Sequence, residues 1–380
     1  MGNKPVIKPA EKVSLVMEQF IRLLHECGMP MDDVDLLNCE GPVAEELIVG
    51  TGSTGTSTGT GTGTGSSSSS SSSSTGSPIR LTQFTGSSRV ANHLSTVTAG
   101  KVKIEDAGFD WKILGPDVNV NVNVNDTGSG SGSDTGSDNN VDYVAWQCDQ
   151  DAYASQGQKC SAQSILFVHE NWKKAGLLEK LKARASMRSL DDLTIGPIMT
   201  HTTNDIMEHI AMLLDIPGSS ILFGGKELTN HHIPSMYGAV EPTAVYVPLK
   251  EMLKDDDNFE KSTTEIFAPF QVITTYGDDE IDLVLEACER MHHHLTAAIV
   301  SNDVKFLNKV IANTVNGTTY AGMRARTTGA PQNHWFGPAG DCRGAGIGTP
   351  ESVQMVWSCH REVIHDTIIP EDWKVPAKPS

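Results

Sequence analysis

A cysteine in a turn of small polar residues is the first group in this sequence that could do chemistry. Cys160 stands in the stretch ASQGQKCSAQS, residues 154–164, and an apolar, strand-like run follows it. A thiolate is a strong nucleophile, and its pKa falls at a helix N-terminus or among backbone N–H donors. Cys160 is therefore a candidate nucleophile. The alternative, from local composition alone, is a buried small apolar residue, the usual environment of a free cysteine.

An acidic residue upstream could serve such a nucleophile as a base. Glu105 follows a short apolar run in KIEDAGFDWKILGPD and stands just ahead of Ala107-Gly108. A glutamate beside a glycine-rich turn can act as a general base when its surroundings raise its pKa. Taken alone, these residues favour a solvated acid in a loop.

The stretch FTGSS, residues 84–88, is a candidate phosphate site. A strand, a glycine turn and a helix follow one another there, which is the arrangement that points free backbone N–H groups at a phosphate. A plain strand-to-helix turn would have the same composition. The stretch lacks the GxGxxG pattern of dinucleotide-binding turns, so its signal is weak by itself.

Three consecutive histidines, 292–294, fall at the end of a predicted helix. Consecutive residues face different sides of a helix and cannot all bind one metal ion. A solvated helix C-terminus, where an imidazolium suits the helix dipole, is the better interpretation, and no metal site is predicted.

A long stretch near the C-terminus, residues 324–351, is dense in glycine, proline and polar groups and carries the pair Trp335-Phe336. Loops of this length with little regular structure are usually functional or disordered. The aromatic pair favours a functional loop that packs against or binds something. Its glycines could bring backbone amides to a carboxylate.

Composition excludes several classes of protein. A chain of 380 residues is long enough for two domains. The formal charge of −18 argues against a nucleic-acid or anionic-membrane surface, and no apolar run is long enough for a membrane span. The seven cysteines are scattered without a CxxC pair, which favours a reducing compartment over a disulfide framework or a structural zinc site.

Two tracts differ in composition from the rest of the chain. Residues 50–78 are almost wholly Gly, Ser and Thr, and residues 118–140 begin with four Val-Asn repeats that run into Gly, Ser and Asp. The strict period of two is also compatible with a strand. The low complexity favours flexible insertions at both places.

Outside these tracts, helix and strand patterns alternate. Residues 11–28 carry apolar side chains at amphipathic-helix spacing and end at Gly28, a typical C-terminal stop. This alternation predicts an α/β fold with a largely parallel sheet. Strands are predicted at VDLLNC, RLTQFTG, SILFVHE, TAVYVPL, APFQVITTY and TAAIVS, and helices at SRVANHLS, NWKKAGLLEKLKARA, TNDIMEHIAMLLDI and DEIDLVLEACERMHHH.

Ten stretches in chain order resemble the aldehyde dehydrogenase superfamily, and most of all its plant-type Δ1-pyrroline-5-carboxylate dehydrogenases. They run from residue 2 to about residue 366 and leave out little except the two low-complexity tracts. They are GNKPVIKPAEKVS, FTGSSRVA, EDAGFDWKILGPDV, VDYVAWQCDQDAYASQGQKCSAQS, LFGGKEL, EPTAVYVPL, TEIFAPFQ, HLTAAIVSND, VNGTTYAG and TTGAPQNHWFGPAGDCRGAGIGTPE.

The resemblance implies a fold and an activity. The fold would be aldehyde dehydrogenase-like, with a truncated Rossmann-type cofactor domain and an α/β catalytic domain. The cofactor domain would be 1–108, with the insertion 50–78, the catalytic domain 109–345, with the insertion 118–140, and the C-terminal segment 346–380. The activity would be NAD-dependent oxidation of L-glutamate γ-semialdehyde to L-glutamate in proline catabolism, through a cysteine thioester.

The resemblance also assigns roles to residues. Cys160 would be the nucleophile, and Glu105 would activate the hydrolytic water. Six residues would bind NAD: Lys8 and Glu11 at the adenosine ribose, where an acid disfavours NADP, Gly86 and Ser87 at the pyrophosphate, and Glu265 and Phe267 at the nicotinamide ribose and ring. Ser161 would contact the substrate carboxylate, and backbone amides of Gly344, Ala345 and Gly346 would anchor the amino-acid end.

The separation of base and nucleophile tests the insertion hypothesis. Cys160 follows Glu105 by 55 residues, more than the resemblance implies. A separation of 32 remains when the 23 residues of tract 118–140 are taken out, which agrees with the family. The tract is therefore interpreted as an insertion in a tolerant loop.

The sequence also departs from the family. The resemblance implies that the family's N-terminal part, with the asparagine of the oxyanion hole, has no counterpart in these 380 residues. Loss of one such donor costs roughly 10²–10³ in rate. EDAG stands for the commoner ELGG and APF for GPF. A catalytically inactive remnant or interaction subunit therefore stays an alternative. So does a dehydrogenase for another aldehyde, although Ser161 and TTGAPQNHWFG argue against it.

Partners and compartment follow the same resemblance. The expected partner is a small-molecule substrate, with no nucleic acid and no membrane. A homo-oligomer is expected if the missing N-terminal part is supplied. The resemblance implies a mitochondrial location. The N-terminal residues do not read as a targeting segment, so the cytoplasm stays open.

Overall fold

The computed structural model describes residues 3–50, 77–118, 135–292, 294–328, 334–358, 363–364 and 374, with only the backbone at 135–139. Within these residues no helix is both long and apolar enough to cross a membrane.

The N-terminal unit consists of short parallel strand pairs and helices. Strand β1 pairs with β2, and β3 pairs with β4, both in parallel. Helix α1 ends just before Gly28, whose φ of +98° is the left-handed conformation typical of a residue that follows a helix, so the predicted stop is confirmed. The elements are β1 Val6–Ile7, α1 Ser14–Glu26, β2 Asp35–Leu36, α2 Gly41–Val49, β3 Thr82–Thr85, α3 Ser88–Val97 and β4 Val102–Glu105.

The rest of the chain is built on one seven-stranded sheet. Its strand order is β11-β10-β5-β6-β9-β8-β7, and every pair is parallel except β7 with β8. The predicted α/β fold with a largely parallel sheet is therefore confirmed. The strands are β5 Asp110–Leu114, β6 Gln163–His169, β7 Ser220–Phe223, β8 Thr243–Tyr246, β9 Phe270–Tyr276, β10 Thr296–Val300 and β11 Thr318–Ala321.

Helices cover both faces of this sheet, which is what buried parallel strands require. Side chains alternate between the faces with a period of two, so Trp111 and Ile113 enter one apolar core and Leu114 enters the other. The helices are α4 Thr135–Tyr153, α5 Glu170–Lys174, α6 Leu177–Ala185, α7 Thr203–Leu214, α8 Leu249–Met252, α9 Asp256–Ser262, α10 Ile281–Arg290, α11 Val304–Ala312 and α12 Pro350–Trp357.

Some predicted boundaries differ from the structure. Helix α10 ends at Arg290, so the histidines 292–294 follow the helix instead of forming its last turn. The tract 118–140 is shorter than predicted, because Val118 is buried in the core and α4 begins at Thr135. Of the two tracts, residues 51–76 and 119–134 lie outside the described residues.

Candidate active site

The two parts of the molecule meet where β4 ends and β5 begins. Glu105 is the last residue of β4, and Asp110 is the first residue of β5. Cys160 lies three residues before Gln163, which begins β6 and pairs with Asp110. The carboxyl end of the small sheet therefore faces the amino ends of the central strands of the large sheet, with Glu105 and Cys160 at the same junction.

The loop that carries Cys160 is held by a close backbone contact. After α4, Ser155, Gln156 and Gly157 all have positive φ values near +60°. A Cβ placed on Gly157 would lie 2.1 Å from the carbonyl oxygen of Ala268. Glycine is therefore required there, and the loop rests directly on the segment that includes Glu265.

Cys160 is half-buried in a small apolar cluster formed by Ala107, Leu295 and Phe336. Burial raises the pKa of its thiol to about 12, and the carboxylates of Glu105, Asp110 and Glu265 also raise it. The backbone N–H of Ser161 acts in the opposite direction. Cys160 is thus a thiol at neutral pH and would have to lose its proton before its sulfur could attack a carbonyl carbon.

Glu105 has the properties of a general base. The residue is 8% exposed, and burial raises its pKa to about 7, with further contributions from Glu265 and Asp106. A carboxyl group with a pKa near the working pH can accept a proton and release it again. The expectation of a solvated loop acid, which the local sequence favoured, is wrong because the chain runs directly from β4 into the core of the large sheet.

Glu265 and Phe267 line a cleft beside this pair. Gly108 lies against the Glu265 carboxylate, since a Cβ on Gly108 would be 2.0 Å from Glu265 Oε1. Burial raises the pKa of Glu265 to about 7, and Asp106 adds to the shift. The wall of the cleft also includes Lys159. The cleft is small, with a volume of about 10 Å³, which is room for about one water molecule, and the Glu265 carboxylate lies in its wall.

The turn at Gly86 and Ser87 lies at the carboxyl end of β3, directly beside Glu105. Thr85 pairs with Glu105, and the Gly86 amide donates to the Glu105 carbonyl at 3.2 Å. Gly86 has a φ of +156°, and a Cβ there would lie 2.7 Å from the Phe84 ring. Ser87 is the N-cap of the ten-residue helix α3. The strand, glycine turn and helix order predicted for FTGSS is confirmed, and a helix N-terminus of this kind suits a phosphate.

Lys8 and Glu11 follow β1, at the carboxyl end of the other strand pair. Lys8 Nζ donates to the Pro9 carbonyl at 2.7 Å, and Glu11 begins a turn of 3-10 helix and is exposed. The neighbouring Lys12 reaches the large sheet's half of the molecule, where it donates to the Met199 carbonyl. Lys8 and Glu11 thus stand at the carboxyl end of β1, in a strand pair that is separate from β3 and β4.

Residues 344–346 form an additional strand-like contact with β4. Ile104 donates to the Arg343 carbonyl at 2.9 Å, and the Ala345 amide donates to the Ile104 carbonyl at 2.8 Å. The Gly344 amide donates to the Asp341 carbonyl. Two of the three amides predicted to anchor a substrate are therefore engaged within the protein. The Trp335 ring lies over the third residue, because a Cβ on Gly346 would be 2.0 Å from it.

Sequence analysis missed a group of buried charges behind the junction. Lys112 and Asp151 form an ion pair with both side chains almost fully buried, and Asp110 is also fully buried, with one carboxylate oxygen lacking a partner among the described residues. The available signal was a single lysine inside the apolar strand DWKIL. Such a residue is rare in a buried strand unless it is paired.

The profile of the aldehyde dehydrogenase family matches residues 1–355. This chain belongs to the aldehyde dehydrogenase family. It is 56% identical over 377 residues to the mitochondrial delta-1-pyrroline-5-carboxylate dehydrogenase 12A1 of Arabidopsis thaliana, covering 99% of this chain and 60% of that protein. It is also 28% identical over 326 residues to human retinal dehydrogenase 2, covering 84% of this chain and 51% of that protein.

Solved structures show the same fold. The gamma-glutamyl-gamma-aminobutyraldehyde dehydrogenase of Burkholderia cenocepacia superposes with a TM-score of 0.68 at 19% identity, over 93% of this chain and 61% of that one. The curated relatives named above are longer than this aldehyde dehydrogenase chain, which spans about 60% of the Arabidopsis protein and about half of the human one.

Proposed function

We propose that this chain carries the catalytic centre of an NAD-dependent dehydrogenase that oxidises L-glutamate γ-semialdehyde, the open form of pyrroline-5-carboxylate, to L-glutamate in proline catabolism. The observation that carries the proposal is the meeting of Cys160 and Glu105 at one junction, although 55 residues separate them in the chain. The substrate is taken from the name of the Arabidopsis relative, which shares 56% of the aligned residues.

The residues around the junction fit NAD. The turn at Gly86 and the N-terminus of α3 would receive the pyrophosphate. Gly86 has no side chain to keep a phosphate away from the backbone, and the first backbone N–H groups of a helix are available as donors. Glu265 and Phe267, beside Gly108, would hold the nicotinamide ribose and ring. Lys8 and Glu11 would bind the adenosine ribose, and the acid would repel the extra phosphate of NADP. NAD, when bound, supplies a hydride acceptor.

Cys160 performs the covalent step. Its sulfur attacks the aldehyde carbon after its proton has passed to a neighbouring base, and the carbonyl oxygen becomes an oxyanion. When the carbon loses its hydride, the oxyanion collapses to a carbonyl and a thioester remains on Cys160. The Ser161 amide already faces the Cys160 sulfur, so it helps to stabilise the negative charge that develops beside it.

Glu105 performs the hydrolytic step. With a pKa of about 7 it is partly ionised at neutral pH and can accept a proton from water. The resulting hydroxide attacks the thioester carbon, and the C–S bond breaks, so that glutamate forms and Cys160 leaves as a thiolate. The proton held on Glu105 then passes to the sulfur, and the proton of the new carboxyl group passes to solvent, so the site regains its starting state.

Substrate selection is assigned to residues next to the nucleophile. Ser161 is buried directly after Cys160, where a hydroxyl can contact the carboxylate of the semialdehyde. Within residues 344–346, the Gly346 amide is the best candidate for the amino-acid end, because the Gly344 and Ala345 amides already donate to carbonyls. The proposed location is the mitochondrion, as in the name of the relative, and the proposed assembly is a homo-oligomer.

The test is NADH formation by the purified chain with pyrroline-5-carboxylate. We expect activity that disappears in Cys160→Ala and persists in Cys288→Ala, a buried cysteine of α10 distant from the junction. Activity with a simple aliphatic aldehyde but none with pyrroline-5-carboxylate would overturn the substrate. Lack of NADH formation with every aldehyde tested, by a chain that still unfolds cooperatively, would support the non-catalytic alternative.

A further inference from the structure

A buried ion pair that the proposed mechanism does not use lies close behind the nucleophile loop. Lys112, in the middle of β5, and Asp151, near the end of α4, are 0% and 1% exposed at their side chains. Lys112 Nζ lies 2.6 Å from Asp151 Oδ2 and 3.6 Å from the sulfur of Cys148. Burying two charges in the centre of a sheet costs free energy of desolvation, so this pair is expected to have a specific role.

The remaining partners of Asp151 indicate that role. Its Oδ1 accepts from Gln147 Nε2 at 2.9 Å. Its Oδ2, besides binding Lys112, accepts from the backbone N–H of Thr327 at 2.9 Å. Thr327 is fully buried and lies 176 residues further along the chain. The carboxylate therefore joins β5, α4 and the segment after β11 at one point.

The next residue connects this point to the nucleophile. Thr328 Oγ1 accepts from Lys159 Nζ at 3.4 Å, and Lys159 Nζ also donates to the Gln150 carbonyl at 3.2 Å. Lys159 directly precedes Cys160. The Thr327-Thr328 segment is thus fixed on one side to Asp151 and on the other to the loop that carries the sulfur.

Stability alone does not account for the pair. Replacing a buried ion pair by apolar residues of similar volume is often neutral or stabilising, whereas a hydrogen bond from a backbone N–H to a carboxylate defines a geometry. We propose that Lys112 and Asp151 are positioning residues that hold Thr327-Thr328 against the Cys160 loop and thereby fix one wall of the aldehyde site. The assignment of this wall to an aldehyde site rests on the proposed function. The tether itself, the hydrogen bond from Thr327 to Asp151, does not depend on that function.

Two double variants separate the tether from the charges. Lys112→Met/Asp151→Asn removes both charges and keeps a side-chain oxygen that can accept from Thr327. Lys112→Met/Asp151→Leu removes both charges and the acceptor, with nearly the same volume. Neither leaves an unpaired buried charge, which avoids the main cause of misfolding in the single variants.

A third variant is a matched control on the same helix. Asp149 and Arg188 form another ion pair with little exposure, 6% and 8% at the side chains, and the Arg188 guanidinium also donates to the Thr194 carbonyl. This pair makes no contact with Thr327 or Thr328 among the described residues. Arg188→Met/Asp149→Leu therefore removes an equally buried pair of charges without removing the tether.

The first readout does not require activity. Hydrogen exchange of the peptide that contains Thr327 should be slow in the wild type, the Asn variant and the Arg188 control, and at least tenfold faster in the Leu variant. Equal protection of Thr327 in the Asn and Leu variants would overturn the tether. Fast exchange at Thr327 in the Arg188 control would also overturn the tether, because a loss of stability alone would then explain the faster exchange in the Leu variant.

The second readout is the KM for pyrroline-5-carboxylate. One lost hydrogen bond of this kind is worth roughly tenfold, so the Leu variant should raise this KM about tenfold, with KM for NAD unchanged and with rescue by Asn. A KM that follows thermal stability across the three variants would overturn the positioning role. If neither the wild type nor any variant oxidises an aldehyde, the proposed function fails. The hydrogen-exchange result still shows whether the tether exists.

Discussion

At the scale of single residues, the site is defined by acids that surround one thiol. Glu105 and Glu265 both have a pKa raised to about 7, mainly by burial, and full burial raises the pKa of Asp110 well above its usual value. Each adds to the cost of ionising Cys160. Glu105 and Glu265 are therefore partly protonated near neutral pH, and the chemistry of the site depends on where those protons go.

Replacing Glu265 should change the pH dependence of stability. Its pKa is raised from 4.5 in the unfolded chain to about 7 in the folded protein. Its contribution to stability is therefore fully present below pH 4.5 and is lost as the pH rises through 7. Glu265→Gln should be more stable than the wild type at pH 8, by about 1–3 kcal/mol, and the difference should vanish near pH 4. Urea unfolding at both values measures it.

An exposed glutamate provides the control for that comparison. Glu260, in helix α9, is exposed, and Glu260→Gln should leave the pH dependence of unfolding unchanged. A Glu265→Gln variant that is less stable than the wild type at pH 8 would contradict the prediction. That result would mean that partners of the ionised Glu265 carboxylate stabilise the folded protein by more than burial of the charge destabilises it.

At the scale of elements, the position of Cys160 is set by a loop that rests on another loop. Helix α4 ends at Tyr153, and three residues of positive φ then turn the chain toward β6. Gly157 is in contact with the carbonyl of Ala268, so the loop that carries Cys160 and the Glu265–Ala268 segment are fixed relative to each other. Both sides of this contact are backbone, so no flexible side chain could move aside to make room for a Cβ on Gly157.

Gly157→Ala should therefore lower the free energy of unfolding by more than backbone strain alone would. A left-handed alanine costs roughly 1–2 kcal/mol, and the clash with Ala268 should bring the total to about 2–4 kcal/mol in the free energy of unfolding. Hydrogen exchange of the peptide that contains Cys160 should become faster in the same variant.

Gly176 is the matched control, with a φ of +81° and no atom closer than 3.9 Å to the position that a Cβ would take. Gly176→Ala should show the strain alone and unchanged hydrogen exchange of the Cys160 peptide. Equal losses of stability in the two alanine variants, measured by urea unfolding, would show that the contact with Ala268 is not restrictive.

At the scale of the whole molecule, a C-terminal segment, residues 334–349, ties the N-terminal unit to the large sheet. On one side the Ala345 amide donates to the Ile104 carbonyl, and the Arg343 guanidinium donates to the Asn92 side chain of α3 at 3.0 Å. On the other side Ala339 donates to the His294 carbonyl and Phe336 packs on Cys160. The predicted domain boundary at residue 345 thus falls inside a segment that contacts both units.

Ala345→Pro should weaken this connection. Proline removes the N–H that donates to the Ile104 carbonyl and leaves a buried acceptor without its partner, which costs about 1–3 kcal/mol. The change should appear as a lower thermal midpoint and as faster hydrogen exchange of β4. Ala345→Gly keeps the amide and should have a smaller effect. Equal exchange of β4 in the two variants would exclude this role of the segment.

The tract that follows α2 should be removable. Ser77 Oγ donates to the Leu47 carbonyl at 3.1 Å, so the chain returns to α2 where the tract ends. Joining Gly50 to Ser77 by a short glycine linker in place of residues 51–76 should change the thermal midpoint by only a few degrees, since closing a shorter loop costs less entropy. A large loss of stability would show that the tract contributes contacts to the fold.

The sequence by itself determined the local features of this protein. Alternating helix and strand patterns predicted the parallel α/β fold, Gly28 marked the end of α1, and residue type made Cys160 and Glu105 candidates, although the local sequence favoured a solvated acid at Glu105. These depend on neighbours in the chain, whose preferences can be read from composition and periodicity. The family resemblance added the assignment of roles to those residues.

Only the tertiary structure decided which groups meet across long separations. The Ala345 amide is engaged by Ile104, 241 residues away, and Asp151 holds Lys112 and Thr327 together. Nothing in a local pattern encodes such partners, because each amide or carboxylate could equally bind water until packing removes the water. Burial sets the pKa of Glu105 for the same reason: the shift comes from surrounding chain that lies far away in sequence.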